Sequence, residues 1–278
     1  MSNRKILFSA LNYIFLIIAF IAFTFPFFLI IVNSFKTNGE ILESPFSLPQ
    51  TFNFNHFAEV INKMNFLVTF TNSLLITAVS VILILIFSAM TAYYLVRNNT
   101  KFNKTFFAVL VASMIIPFQS IMIPLIYIYG AKLNLIERVP FPLLITFYAG
   151  FGSALSVFIY HGFIKSIPLE LEEASLIDGC TRKQTFFKIV LPMLTPTSMT
   201  ITILNVMWIW NDYLLPSLIL TKENLYTMPI KMKVFNGTYM NNWELLIPAL
   251  LMTILPILIV YFISQKHIIK GVMQGSIK

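Results

Sequence analysis

The sequence holds few of the residues from which active sites and metal sites are built. Its single cysteine, Cys180, excludes an internal disulfide and gives no metal-ligand cluster. The three histidines, His56, His161 and His267, are expected in an outer loop, near an inner membrane face and in the tail, as interfacial residues rather than ligands. No Gly-Lys pair occurs, so the phosphate-binding loop that cradles ATP in many ATPases is missing. We predict neither catalytic residues nor metal ligands, and the chain is not expected to hydrolyse ATP itself.

Charged residues are scarce as well. They make up 11% of the 278 residues, whereas soluble domains carry about a quarter. The formal net charge of +8 could attract nucleic acid, but the lysines and arginines sit in short clusters between long apolar runs. That pattern is typical of membrane topology, and together with 58% hydrophobic residues it predicts an integral membrane protein.

Six charge-free stretches are long enough for the roughly 20 residues that a helix needs to cross a bilayer. The first is too long for the apolar part of a signal peptide, so we interpret it as a retained span. Prolines inside these stretches predict kinks, unless they are ordinary membrane-helix prolines: Pro117, Pro124, Pro216, Pro248 and Pro256. The sequence therefore predicts an all-α membrane protein with one transmembrane domain over residues 1–278 and six transmembrane helices at approximately 9–33, 67–96, 106–131, 141–164, 192–220 and 245–265.

The distribution of basic residues gives the orientation. With the N-terminus inside, the cytoplasmic segments hold most of the 19 lysines and arginines, which favours both termini in the cytoplasm. Rich usage of Phe, Ile, Lys and Asn suggests an AT-rich bacterial genome. We therefore expect a multi-pass protein of a bacterial cytoplasmic (plasma) membrane.

The cytoplasmic segment 167–191 carries the most specific local pattern. Pro168 can begin a helix, Glu172 and its acidic neighbours suit the positive end of the helix dipole, and Gly179 can end the helix in a left-handed conformation. Thr181 and Gln184 have capping-box spacing for a second helix. The segment predicts a helix–turn–helix that either docks on another protein or lies against its own bundle. One face of its first helix would hold Leu171, Ala174, Ser175 and Asp178.

The same segment resembles the EAA signature of ABC importer permeases, with Ser175 replacing the second alanine. The matching positions are Glu173, Ala174, Ser175, Gly179, Ile189, Leu191 and Pro192. In that family the segment is a coupling helix that docks in a groove of the ATP-binding subunit. The resemblance implies that Glu173 is a polar anchor, that Ala174 and Ser175 pack closely, and that Gly179 forms the turn; Asp178, Ile189, Leu191 and Pro192 complete the coupling set.

Other segments resemble the carbohydrate-uptake branch of these permeases, specifically its maltose-type second permease. They are Asn72-Ser73, Ala92-Tyr93 before Arg97, Met114–Gln119, Ile123–Leu125, Trp210–Tyr213 with Pro216, and the glycine-punctuated tail Gly271–Lys278. Relatives bring this tail to the ATPase, so Gly271, Gln274 and Gly275 are expected contacts, although Gln274 and Ser276 depart from the family pattern.

The resemblance implies a larger assembly. This chain would pair with a different permease as a heterodimer, with two copies of an ABC ATPase that bind ATP and Mg²⁺, and with an extracellular solute-binding protein; the chain itself would bind no cofactor. An outer segment rich in Asn and Tyr is either the loop that probes the binding protein or an ordinary connection. Its candidate residues are Phe235, Asn236, Gly237, Tyr239 and Asn241.

The substrate is argued from what the spans contain. They lack the Arg or Lys that an anion needs, so a sugar or oligosaccharide is favoured over glycerol-phosphate or another small polar solute, unless the partner permease supplies the charge or the binding contacts. An ion-coupled secondary transporter is less favoured, because Asp212 is the exceptional acid among the spans; it is either a gate or anchor, or a helix-end residue. The candidate path comprises Asn72, Ser73, Gln119, Tyr127, Asn205, Trp208 and Asn211.

Overall fold

The computed structural model of the chain describes residues 3–235 and 242–276. Helices and short turns make up this part of the chain, without any β-strand in it, so the predicted all-α fold is confirmed. The chain divides into two compact units, one of residues 1–67 and 231–255 and the other of residues 68–230 and 256–278.

The first unit contains α1 (Asn3–Asn33), α2 (Asn38–Glu43), α3 (Asn55–Met64) and the beginning of α15 (Trp243–Ser276). The side chain of Lys36 is fully buried after α1, where its Nζ donates to the carbonyl of Ser44 at 2.9 Å. Burial lowers the pKa of Lys36, although the nearby carboxylate of Glu40 opposes that shift. This lysine therefore fastens the turn after α2 to the end of α1.

Besides the later part of α15, the second unit contains all the remaining helices except their end residues Phe66, Leu67 and Lys231. They are α4 (Phe66–Arg97), α5 (Lys101–Ser113), α6 (Phe118–Ile126), α7 (Leu135–Arg138), α8 (Pro140–Ile164), α9 (Leu169–Ile177), α10 (Arg182–Thr185), α11 (Leu191–Met193), α12 (Thr195–Asn211), α13 (Leu214–Ile219) and α14 (Met228–Lys231). Two π-helical turns, Tyr127–Lys132 and Phe186–Val190, follow α6 and α10. The core of the second unit is apolar. It includes Ile84 of α4, Leu144 of α8 and Ile201 of α12, none of which is accessible to solvent.

Four helices of the described chain are long and apolar enough to cross a membrane. They are Leu11–Asn33, Phe66–Arg97, Pro140–Ile164 and Trp243–Ile263. Two bent helix pairs raise the number to as many as six if each pair is one span: Lys101–Ser113 with Phe118–Lys132, bent by 96°, and Arg182–Met193 with Thr195–Asn211, bent by 71°. Multiple apolar helices at these places match a multi-pass membrane protein.

The bends coincide with prolines that open a helix. Pro117 precedes α6 with an extended backbone, and Pro196 lies in the first turn of α12, where its missing N–H leaves no hydrogen bond unmade. By contrast, Pro248 and Pro256 lie within α15, which the structure records as one continuous helix. The predicted fifth span, 192–220, is interrupted at Asp212, whose backbone is extended between α12 and α13.

Gly152 lets three helices of the second unit approach closely. A Cβ atom at this position of α8 would lie 2.5 Å from Ile84 Cδ1 of α4 and 2.7 Å from Asn205 Oδ1 of α12. Both distances are shorter than atoms tolerate, so only glycine fits without displacing a neighbour. This crossing places the middle of α4 against α8 and α12.

Candidate functional site

The segment after α8 forms a helix, a turn and a second helix. Pro168 precedes α9, and Gly179 follows it with φ +85°, a conformation that an L side chain rarely adopts. The amide of Cys180 donates to the carbonyl of Ser175 at 3.0 Å and closes the end of α9. Thr181 and Gln184 then form a complete capping box at the start of α10. Local sequence therefore defines both ends of the turn.

The two faces of α9 differ in exposure. Glu173 and Ala174 are exposed, as are Leu171 and Ile177, the last of which leaves 85% of its surface accessible. Ser175 is buried, contrary to the expectation that it packs against a partner together with Ala174. Its hydroxyl donates to the carbonyl of Glu172 and shares a 2.7 Å hydrogen bond with the hydroxyl of Thr185, which ties α9 to α10.

Glu172 is the other buried residue of α9, and its carboxylate meets the end of α4. Arg97 Nη2 lies 2.6 Å from Oε1, and Arg97 Nε donates to the same oxygen at 2.8 Å. The hydroxyl of Tyr93 donates to Oε2 at 2.7 Å. Arg97 also donates through Nη2 to the carbonyl of Ile167 at 3.1 Å. Sequence reasoning missed this cluster because Glu172 and Arg97 are distant in the chain. The available signal was Tyr93 followed by Arg97, an arginine that ends an apolar span.

The N-terminal part of α4 meets the segment that follows α13. Asn72 donates through Nδ2 to the carbonyls of Asn224, at 2.9 Å, and Tyr226, at 3.1 Å. The backbone amide of Met228 donates to the hydroxyl of Ser73 at 2.9 Å. Asn72 and Ser73, which were predicted on a translocation path, thus hold a connecting segment in this structure.

Two further polar groups join α8 to the helices around the break at Asp212. The hydroxyl of Tyr148 donates to Asp212 Oδ2 at 2.9 Å, while Asp212 Oδ1 accepts the amide of Leu214 at the same distance. Deeper in α12, Asn205 is buried and donates through Nδ2 to the hydroxyl of Ser156 at 3.2 Å. Asp212 therefore links helices and also stabilises the start of α13.

The remaining predicted residues fall into three groups. Gln119, Tyr127, Trp208 and Asn211 are exposed, and the contacts of the described side chains do not gather them into one site. Asp178 and Pro192 are exposed, and Ile189 and Leu191 are half-buried beside the second helix. Phe235 is buried, whereas Asn236, Gly237, Tyr239 and Asn241 lie outside the described residues. Gly271, Gln274 and Gly275 belong to the backbone of α15, and their surroundings also lie outside that description.

The fold and the site define a multi-pass membrane protein with an exposed helix–turn–helix. A family model described as a binding-protein-dependent transport system inner membrane component matches residues 84–274. The chain belongs to this family of inner membrane components, and its predicted kinship with ABC importer permeases is confirmed.

Individual relatives resemble the chain along most of its length. A probable starch degradation products transport system permease protein of Thermoanaerobacterium thermosulfurigenes is 41% identical over 253 residues, which cover 91% of both chains. A melibiose/raffinose/stachyose import permease protein of Bacillus subtilis is 35% identical and also covers 91% of both. A solved bacterial ABC transporter involved in alginate import shares the fold, with a TM-score of 0.76, 21% identity and coverage of 96% and 98% of the two chains.

Proposed function

We propose that this chain is the membrane-spanning subunit of an ATP-driven importer of neutral carbohydrates, sugars or oligosaccharides. Several relatives are named as permeases for starch degradation products, raffinose-type oligosaccharides or multiple sugars, and this supports the substrate class. The scarcity of charge in the spans agrees with a neutral solute. Under this proposal the chain has no ATPase site of its own.

The observation that carries the proposal is the exposed helix α9, which ends at Gly179 in a left-handed turn. A short helix that presents Leu171, Glu173, Ala174 and Ile177 to solvent has the shape of a docking element for a groove. We expect ATP and Mg²⁺ to bind in the partner ATPase, whose closure would push α9. Ser175 would then contribute from inside, by fixing α9 to α10.

The proposed assembly contains this chain, a different permease, two ATPase subunits and an extracellular binding protein. Both termini would lie in the cytoplasm, in agreement with the bias of basic residues to that side. Gly271, Gln274 and Gly275 would then approach the ATPase. The candidate path would use the exposed residues Gln119, Tyr127, Trp208 and Asn211, with the partner permease completing the surface around the solute.

Reconstituted transport tests this function directly. The four kinds of subunit are placed in vesicles, and the binding protein is screened by thermal shift with malto-oligosaccharides, raffinose-type sugars and glycerol-3-phosphate. We expect uptake of a neutral saccharide that requires ATP hydrolysis and the binding protein. Uptake by this chain alone along a proton or sodium gradient would contradict the proposal, as would selective uptake of glycerol-3-phosphate.

The outer segment offers a second test. The amide of Asn242 donates to the carbonyl of Phe235 at 3.2 Å, so the two ends of segment 235–242 are already joined. Deleting residues 237–240 should therefore leave the flanking helices in place. We expect lower uptake and weaker stimulation of ATP hydrolysis by loaded binding protein, with unchanged co-purification of the ATPase. Full uptake by the shortened chain would show that this segment is an ordinary connecting loop with no role at the binding protein.

A further inference from the structure

The buried carboxylate of Glu172 is the most completely enclosed charged group near α9. The residue is 5% exposed, and both of its carboxylate oxygens have partners on α4, from Arg97 and Tyr93. The side chain of Arg97 is itself 18% exposed. Charges are costly to bury unless their geometry is good and their remaining sites are hydrogen-bonded, and this cluster meets both conditions.

Arg97 contacts α9 and a residue just before its N-terminal end, at two separate places. Arg97 reaches the carboxylate of Glu172 inside the helix and the carbonyl of Ile167 just before it. A helix of nine residues has little stability by itself, so tertiary contacts determine its orientation. Because Arg97 is the last residue of α4, whatever tilts α9 also pulls on the end of a membrane span.

The geometry also separates α9 into an inner and an outer side. Glu172 and Ser175 face the chain's own helices, whereas Glu173 and Ala174 remain exposed. A partner can therefore occupy the outer side without displacing the contacts to α4. The ion pair is positioned to stay intact while α9 is moved.

We propose that Tyr93, Arg97 and Glu172 form a latch that makes α9 and the cytoplasmic end of α4 move as one body. This inference rests on the proposed function, in which an ATPase drives α9. The three are positioning residues: they contact neither solute nor nucleotide, and they convert a push on α9 into displacement of α4. Without the latch, α9 would still dock but would tilt independently of the span.

Transport stoichiometry tests the latch in the reconstituted complex. Glu172→Gln and Arg97→Gln should lower the amount of solute imported per ATP hydrolysed by about tenfold, since a buried charge-assisted contact is lost. Tyr93→Phe should lower it by about two- to threefold, because a single hydrogen bond disappears. Glu170→Gln removes the same charge from an exposed position of α9 and is the matched control.

A double variant distinguishes the loss of a latch from a general loss of structure. If the residues act together, Tyr93→Phe in the Glu172→Gln background should lower the ratio no further than Glu172→Gln alone. Equal import per ATP in Glu172→Gln and wild-type complexes would overturn the proposal. Failure of the wild-type complex to couple ATP to uptake would instead contradict the proposed function.

A distance measurement tests the latch independently of transport. Spin labels at Tyr94→Cys and Glu170→Cys, in a Cys180→Ser background, report the separation of α4 from α9 from exposed positions. We expect one narrow distance in the full chain, unchanged when ATP binds to the complex, and a broadened distribution in Glu172→Gln. A distance that shifts with ATP while the ion pair is intact, or an identical distribution in Glu172→Gln, would overturn the latch.

Discussion

The two ends of α4 are anchored by different chemistry. At its C-terminal end, which the proposed function places on the inner, cytoplasmic side, Arg97 and Tyr93 bind a buried carboxylate, with contacts of 2.6–2.8 Å. At the other end, Asn72 and Ser73 bind backbone groups of a connecting segment through neutral hydrogen bonds of 2.9–3.1 Å. Charge-assisted hydrogen bonds contribute about 1.5–3 kcal/mol and neutral ones about 0.5–1.5 kcal/mol. The stronger anchor therefore lies beside the proposed docking helix.

This difference suggests a division of labour along one helix. The neutral anchor fixes the position of a segment, a task that several modest hydrogen bonds accomplish. The ionic anchor joins α9, of nine residues, to α4, of 32 residues. Under the proposed function, this is the contact that would transmit the movement of α9 to α4. Breaking the two ends separately should accordingly affect different properties, coupling at the inner end and stability at the outer end.

The largest effect is expected at the inner end, from Gly179→Asp. Its Cβ would meet no atom within 4 Å, so the cost comes from the left-handed backbone, about 1–3 kcal/mol of strain, and from a new charge on the docking side. We expect uptake to fall by at least about tenfold while ATP hydrolysis continues, a loss of coupling. Vesicle uptake and phosphate release, measured together, give the amount of solute imported per ATP hydrolysed.

Two companion variants interpret that result. Asparagine is the usual alternative to glycine at a left-handed helix end, and Gly179→Asn adds no charge, so this variant should keep more of the uptake. Gly39→Asp places the same side chain where a Cβ also meets nothing within 4 Å, in the first unit, and should leave the ratio unchanged. Normal coupling of ATP hydrolysis to uptake in Gly179→Asp would show that the turn at Gly179 is not part of the docking surface.

These inner-end features show how far sequence reasoning reaches. Gly179, Pro168 and the capping box of Thr181 were predictable because each acts on backbone within a few residues. The latch was not predictable, since it joins residues that are remote in the chain and no local period encodes that contact. Ser175 was expected to face a partner because small residues permit close packing, yet its hydroxyl finds Thr185 within the chain.

The fold shows the same limit. Charge-free runs predicted where long apolar helices lie, because lipid excludes charges whatever the helix geometry. They could not predict which prolines bend a helix. Pro256 leaves α15 continuous, whereas the bends occur where Pro117 and Pro196 stand at helix starts. Whether a kink forms depends on the packing around the freed carbonyl, which sequence alone does not show.

A smaller effect is expected from Gly152→Ala, on α8 where it packs against the middle of α4. The added methyl group would collide with Ile84 Cδ1 and Asn205 Oδ1, and overpacking of this kind costs about 1–3 kcal/mol. We expect a lower thermal unfolding midpoint in detergent, and a reduced import per ATP because α4 then loses its support between the two anchors. Gly162→Ala, on the same helix with nothing within 4 Å, should behave as wild type. Equal midpoints for the two variants would mean that the crossing adjusts freely.

The smallest effect is expected at the outer end, from Ser73→Ala. This change leaves the amide of Met228 buried without its acceptor, which costs about 1 kcal/mol of stability. Ser88→Ala is a matched control on the same helix, because the Ser88 hydroxyl is buried without a hydrogen-bond partner among the described residues and its removal sacrifices none. We expect a lower unfolding midpoint for Ser73→Ala alone, and unchanged import per ATP for both. A coupling defect in Ser73→Ala as large as that of Glu172→Gln would show that the outer anchor transmits force too, and the proposed division between the two ends would be wrong.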